Sequence, residues 1–269
     1  MAVELTNLVD EIGQAGRRLD HMQACEASAG NISVAVADHL DMSLFPDHED
    51  YELPADVPQL AGWTVIVTGS GTRLRDVLDR PQACLAAVVI GADGHSSTLY
   101  SSPRRTFARP TSEFNTHLGV HADHLKRHSA AGLHAVVHAQ PPYLVMLSHI
   151  PSMIDSAVFS KAIMRWEPET VLQLPNGIGI VPFTPPGSDD MRTGTLEQLR
   201  THQIAVWLKH GVIACSDQGP ASAVDKIEYA ETGAMYEWRN RSAGSPGSGL
   251  SDDEVRQVAR DWNVKTDLY

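Results

Sequence analysis

Four short apolar runs limit what this chain can fold into: "WTVIVTGSG", "CLAAVVIGADG", "GLHAVVHAQ" and "AVWLKHGVIACS". Each is rich in valine, isoleucine and alanine, is too short for a stable helix, and is broken or followed by glycine or proline, the signature of a β-strand leaving a sheet. Between groups of strands the pattern turns helical. Leu5, Leu8, Val9 and Ile12 recur at i, i+3, i+4, i+7. Residues 113–128 place Leu118, Ala122 and Leu125 on one face, and "SAVDKIEYAETGAMYEW" is helical throughout. The break "RSAGSPGSG" precedes Ser251 and Glu254, a capping box that starts a last helix over 251–262. "SAGNISVAV" reads as a turn and an alternating strand, "VLQLPNGIGIVPF" as strand, turn and strand, and residues 47–58 as an acidic surface loop. Strands in groups, with no G-x-G-x-x-G or G-x-x-x-x-G-K-[ST] turn, disfavour a dinucleotide-binding sheet and a P-loop enzyme. The economical reading is a single α/β domain over 1–269, a central mixed or antiparallel sheet flanked by helices.

Charge narrows the partners. Net charge is -12, which argues against a nucleic-acid surface. No apolar run reaches the roughly 20 residues of a membrane span, and the first residues lack a basic, apolar leader. Cys25, Cys84 and Cys215 are odd in number and far apart, so no disulfide framework is expected. These features together read as a cytoplasmic protein.

Four stretches carry candidate chemistry. In "PTSEFNTH", Thr111 or Ser112 can simply cap a helix. Equally, the helix start can bind an anion while Glu113 exchanges protons. "TGSG" (68–71) and "SAGN" (28–31) are either ordinary tight turns or backbone nests for phosphate oxygens, which they serve only if they converge. His138 and His210 lie beside apolar strands, where a histidine is structural or a metal ligand. His117 and His121, at i and i+4, can line a polar helix face or grip an ion. His134 shares a strand face with His138 but sits about 13 Å along it, too far to share one ion. Glu167 and Glu169 form a solvated loop, or one face if that stretch is extended.

Read in order, "SAGNISV", "VTGSGTRLRDV", "PTSEFNTHL", "AVVHAQ", "LPNGIGIVP" and "WLKHGV" resemble the class II aldolase/adducin family. The resemblance runs from about residue 20 to about residue 240. It implies a three-layer fold, a homotetramer with active sites at subunit interfaces, and reversible aldol cleavage of a phosphorylated ketose to dihydroxyacetone phosphate and an aldehyde. It implies a sugar-phosphate substrate and a divalent metal, zinc first. By the same resemblance Glu113 is the catalytic carboxylate, and Glu169 acts on the aldehyde half from a neighbouring subunit. His138 and His210 are metal ligands. Asn31, Gly71, Thr111 and Ser112 hold phosphate, with Ser28 standing where relatives carry asparagine.

The departure is Gln140, where the family's H-x-H has its second histidine. An amide oxygen is a harder, weaker donor than imidazole, so manganese, iron(II) or cobalt gain relative to zinc. Three arrangements follow: Gln140 ligates through its oxygen, water or substrate fills the place, or His117 or His121 moves in. Competing readings are another metal enzyme on this scaffold (an epimerase, a decarboxylase or an iron(II) oxygenase) and a metal-free, adducin-like interaction protein.

Overall fold

The apolar runs assemble into one nine-stranded sheet in the computed structural model, whose described residues are 4–37, 39–128 and 132–269. In chain order the elements are α1 (Leu5–His21), β1 (Asn31–Val36), β2 (Asp47–Asp50), β3 (Thr64–Thr68), α2 (Pro81–Cys84), β4 (Leu85–Ile90), β5 (Ser97–Ser101), α3 (Phe114–Arg127) and β6 (Leu133–Ala139). There follow α4 (Pro142–Leu147), α5 (Ser156–Met164), α6 (Thr170–Gln173), β7 (Gly179–Val181), α7 (Asp189–Leu199), β8 (Ile204–Trp207), β9 (Gly211–Ser216), α8 (Pro220–Ser242) and α9 (Asp252–Asp261). Strand order is β2-β5-β4-β3-β1-β6-β9-β8-β7, antiparallel except for the β7–β8 edge. The expected mixed sheet flanked by helices is what forms.

Three local expectations are corrected. Residues 47–50 are an edge strand paired with β5, fully exposed and charged, rather than loop. An edge strand needs only one neighbour, and charge on it blocks further pairing. The first half of "VLQLPNGIGIVPF" is the helical turn α6, and only 179–181 are strand. β1 does not alternate between buried and exposed: all its residues are buried, because both faces of this central strand are covered.

Those two faces differ. Ile32, Val34, Val36, Ala135, Val137 and Ala139 join α1, α4, α5 and α8 in one large apolar cluster. On the other face the apolar packing is split. Val65, Val67, Ala86 and Val88 pack with Phe114, Leu118, Ala122 and Leu125 of α3, as the helical spacing predicts. Val136, Ala205, Trp207 and Ile213 pack with Val120 and with Met191 and Leu199 of α7. Between these clusters lie Asn31, Ser33, His134 and His138 of β1 and β6, facing Glu113, His117 and His121, all buried. A polar seam thus runs under α3. Its geometry is commensurate, since four helical residues rise about 6 Å and two strand residues about 6.6 Å.

On the large-cluster side, Pro142 takes the first position of α4, as expected. The next two amides, Tyr143 N and Leu144 N, donate to Glu231 of α8, both at 2.9 Å. This contact, missed in the sequence, fixes how the chain leaves β6 after Gln140. Burial pushes Glu231 up to about 7, against the pull of the two amides. A raised folded-state value means stability is fully present below about 4.5 and is lost as pH rises through about 7. Urea titrations of wild type and Glu231→Gln should therefore show the wild-type margin shrinking from pH 4.5 to pH 8. Glu231→Ala, which orphans two amides, should cost about 2–4 kcal/mol.

Candidate metal centre

Glu113, His138 and His210 come from three elements, and one ligand atom of each lies within 4.8 Å of the others. Glu113 occupies the cap position of α3 but caps nothing with its side chain. The expectation that Thr111 or Ser112 is the cap is displaced: Thr111 Oγ1 instead accepts from Glu113 N at 3.4 Å. Freed from capping, the carboxylate turns inward. Its Oε2 accepts from Asn31 Nδ2 at 2.8 Å and sits 3.6 Å from His138 Nε2, and its Oε1 sits 3.7 Å from His210 Nε2.

His138 lies on β6 opposite Asn31 on β1. Its Nδ1 donates to Val212 O at 2.8 Å, which turns Nε2 toward the cluster. His210 is held by the tight β8–β9 turn, where Lys209 adopts φ +65° and Trp207 pairs with Gly211. Burial pushes His210 down to about 4, helped by His138 and opposed by Glu113. At neutral pH it is therefore an uncharged imidazole, the form that binds a metal.

Trp207, also missed in the sequence, packs on both rings, with centroids 4.5 Å from His138 and 5.2 Å from His210. Its Nε1 donates to Thr195 Oγ1 at 2.8 Å, which ties this wall to α7. Tryptophan three residues before the histidine in "WLKH" was the available signal. Gly211 matters for space: an added Cβ would lie 2.5 Å from Ala139 O, 2.8 Å from His138 Cε1 and 3.2 Å from Gln140 Cγ. The stem of Gln140 and the His138 ring thus share one side of the turn, as the i, i+2 spacing requires.

The candidate phosphate segments do converge in part. Thr111 N donates to Thr68 O at 3.0 Å, Ser70 N to Arg109 O at 2.9 Å, and Gly69 bridges Pro110. Thr68 Oγ1 in turn accepts from Ile32 N at 3.1 Å, which joins the 68–71 turn to β1. Gly71 has φ +79° and open space where a Cβ would be. Asn31 Oδ1 is buried with no partner among the described residues. Ser112 is exposed beside Gly187, whose Cβ would strike Ser112 O at 2.7 Å. Ser28 is exposed in the turn before β1 and makes no side-chain hydrogen bond among the described residues.

Two of the alternatives left open in the sequence are not what forms. His117 and His121 do not grip an ion together: both bind Ser33 Oγ, at 2.7 and 2.8 Å. The stretch 167–169 is a turn into α6 rather than an extended strand, with Glu169 exposed at its cap. Glu169 is outside the Glu113 cluster of this chain.

Comparison with known proteins points one way. The family profile of the class II aldolase and adducin N-terminal domain matches residues 10–238. A rhamnulose-1-phosphate aldolase of Bacteroides thetaiotaomicron is 26% identical over 263 residues, 97% of this chain and 96% of that protein. One from Pectobacterium atrosepticum is 28% identical over 248 residues, 89% and 87% of the two chains. Among solved structures, a sugar-phosphate aldolase from Thermotoga maritima superposes with a TM-score of 0.75 at 26% identity, covering 91% of this chain and 99% of that one.

The Gly211 contact is testable without any substrate. Gly211→Ala should lose about 1–3 kcal/mol of unfolding free energy in urea. The His138 ring resonances should shift with it, because Ala139 O is backbone and cannot yield.

Proposed function

The chain belongs to the class II aldolase and adducin family, and from that premise we propose that it reversibly cleaves a phosphorylated ketose of the rhamnulose 1-phosphate kind to dihydroxyacetone phosphate and an aldehyde. The metal-dependent, aldolase-type lyase class follows from the family match and the relatives. The observation that carries the finer reading is the buried Glu113 carboxylate facing His138 and His210 on one side and Asn31 on the other.

The residues fit a divalent metal. Two imidazole nitrogens converge, and one ring is oriented by its bond to Val212 O. His138 and His210 would hold the ion, with the Gln140 amide oxygen as third donor; zinc is the first choice, and manganese, iron(II) or cobalt suit the harder donor. When bound, such an ion supplies Lewis-acid stabilisation of substrate oxygens that gain charge as the C–C bond breaks. Glu113 gives a proton to the carbon left by cleavage, or removes it in the synthetic direction. One Asn31 Nδ2 hydrogen holds that carboxylate in place, while the other, with Gly71, Thr111 and Ser112, forms the phosphate cradle with Ser28 at its rim. Trp207 excludes water behind the two imidazoles. Glu169, exposed on α6, serves the aldehyde half of a neighbouring subunit's site in a cytoplasmic homotetramer.

The same two histidines and carboxylate also match the facial triad of iron(II) oxygenases. Iron retention with oxygen uptake and no C–C cleavage selects that second reading.

Incubation with rhamnulose or fuculose 1-phosphate and a divalent ion should release triose phosphate. Glu113→Gln should cut that rate by about 10²–10⁴-fold with little change in metal content. No release with any divalent ion, or full activity in Glu113→Gln, overturns the proposal. Gln140→His should raise zinc affinity relative to manganese, read by competition dialysis; an unchanged ratio removes Gln140 from the ligand set.

A further inference from the structure

The polar seam continues past the metal centre, through groups that the reaction as described does not use. Ser33 Oγ is 2.7 Å from His117 Nδ1 and 2.8 Å from His121 Nε2. His121 Nδ1 is 2.8 Å from His134 Nδ1. His134 stacks on His124 with centroids 3.9 Å apart, and both rings line a cavity of about 350 Å³ with His128, Arg127 and Asp217. Ser33, His117, His121 and His134 are all fully buried. The outermost nitrogens of the chain, His117 Nε2 and His134 Nε2, are buried with no partner among the described residues. At the other end, His117 lies one helical turn beyond Glu113 on α3, and Ser33 lies two residues beyond Asn31 on β1.

We propose that His117, Ser33, His121 and His134 form a proton relay joining the Glu113 centre to the histidine-lined cavity. Neutral groups make the three internal hydrogen bonds run in one direction in only two ways; in the one other arrangement Ser33 Oγ accepts from both rings and the chain is broken there. In the first of the two, His134 Nδ1–H donates to His121 Nδ1, His121 Nε2–H to Ser33 Oγ, and Ser33 O–H to His117 Nδ1, so the spare proton sits on His117 Nε2. In the second, every bond reverses: His117 Nδ1–H donates to Ser33, Ser33 to His121 Nε2, and His121 Nδ1–H to His134 Nδ1, so the spare proton sits on His134 Nε2. Passing from the first to the second takes up a proton at His134 Nε2 as one leaves His117 Nε2, so a proton crosses the chain and every member ends neutral; the return passes one the other way. Burial favours this route, because it holds His121 and His134 well below the usual imidazole value and makes a trapped imidazolium costly.

The relay rests on the aldolase reading for its purpose. Cleavage frees one proton from the substrate hydroxyl and needs one at the carbon, so a proton sent out and a proton returned leave the relay reset. At the inner end, His117 Nε2 exchanges with Glu113 through a site water.

Two measurements on the full chain test it. In histidine 15N-labelled protein without substrate, His117 and His121 should carry their protons on the same-named nitrogen and His134 on the other one, or all three should show exchange between these two sets. Nδ1–H on His117 together with Nε2–H on His121, or the reverse pair, breaks the chain at Ser33 and overturns the relay. In the metal-loaded protein, Ser33→Ala should slow deuterium uptake from solvent into dihydroxyacetone phosphate by about tenfold or more, with KM unchanged and with recovery in Ser33→Thr. Uptake unchanged in Ser33→Ala also overturns the relay. Paired tautomers with no uptake by wild type would sink the aldolase reading and leave the relay standing.

Discussion

A carboxylate buried at the start of a helix needs partners, because its desolvation costs several kcal/mol that only hydrogen bonds and opposed dipoles offset. Glu113 accepts from Asn31 Nδ2 on β1 and faces Nε2 of His138 on β6 and of His210 in the β8–β9 turn, at 3.6 and 3.7 Å. Each partner sits on a different piece of the sheet, so placing one carboxylate fixes the register of β1 against β6 and the conformation of a tight turn. Removing Asn31 would leave the buried Oε2 without its hydrogen bond, a costly loss. The remaining polar groups under α3 follow from the same commitment: once the seam between the two apolar clusters is polar, each group along it must find its own partner.

This placement also explains how an antiparallel sheet can carry chemistry. His138 stands on a buried strand, Glu113 at the start of a helix packed on the sheet, and His210 in a tight turn stacked against Trp207, so packing sets all three positions. The groups assigned to phosphate lie at turns joined by backbone bonds, where Gly71 leaves an open approach. A rigid acid–base and metal-ligand set beside a backbone cradle suits a substrate with one reacting end and one anionic handle.

Much of this was legible in the sequence where the pattern has one cause. Helical periodicity gave α1 and the inner face of α3, and β-branched runs gave β3, β4, β6, β8 and β9. Ser251 and Glu254 form the expected capping box. Legibility ended where pairing decides: β2 is a strand only because β5 lies beside it, and α6 is helical within a stretch that looks extended. At the site, Glu113, His138 and His210 lie together, although they are distant in sequence. His117 and His121 looked like metal grips because i, i+4 spacing cannot tell a shared ion from a shared serine. Ser33 was visible only as a second polar residue alternating with Ile32 and Val34, a signal without meaning until α3 is laid across it.

His138 and His210 are proposed here as metal ligands held ready by the fold. Equilibrium dialysis followed by elemental analysis tests this most directly, on wild type and on His138→Ala and His210→Ala proteins shown to be folded. About one divalent ion per chain is expected in wild type, with loss of that ion in both variants. No retention by wild type at millimolar supply, or equal retention in the variants, would contradict it.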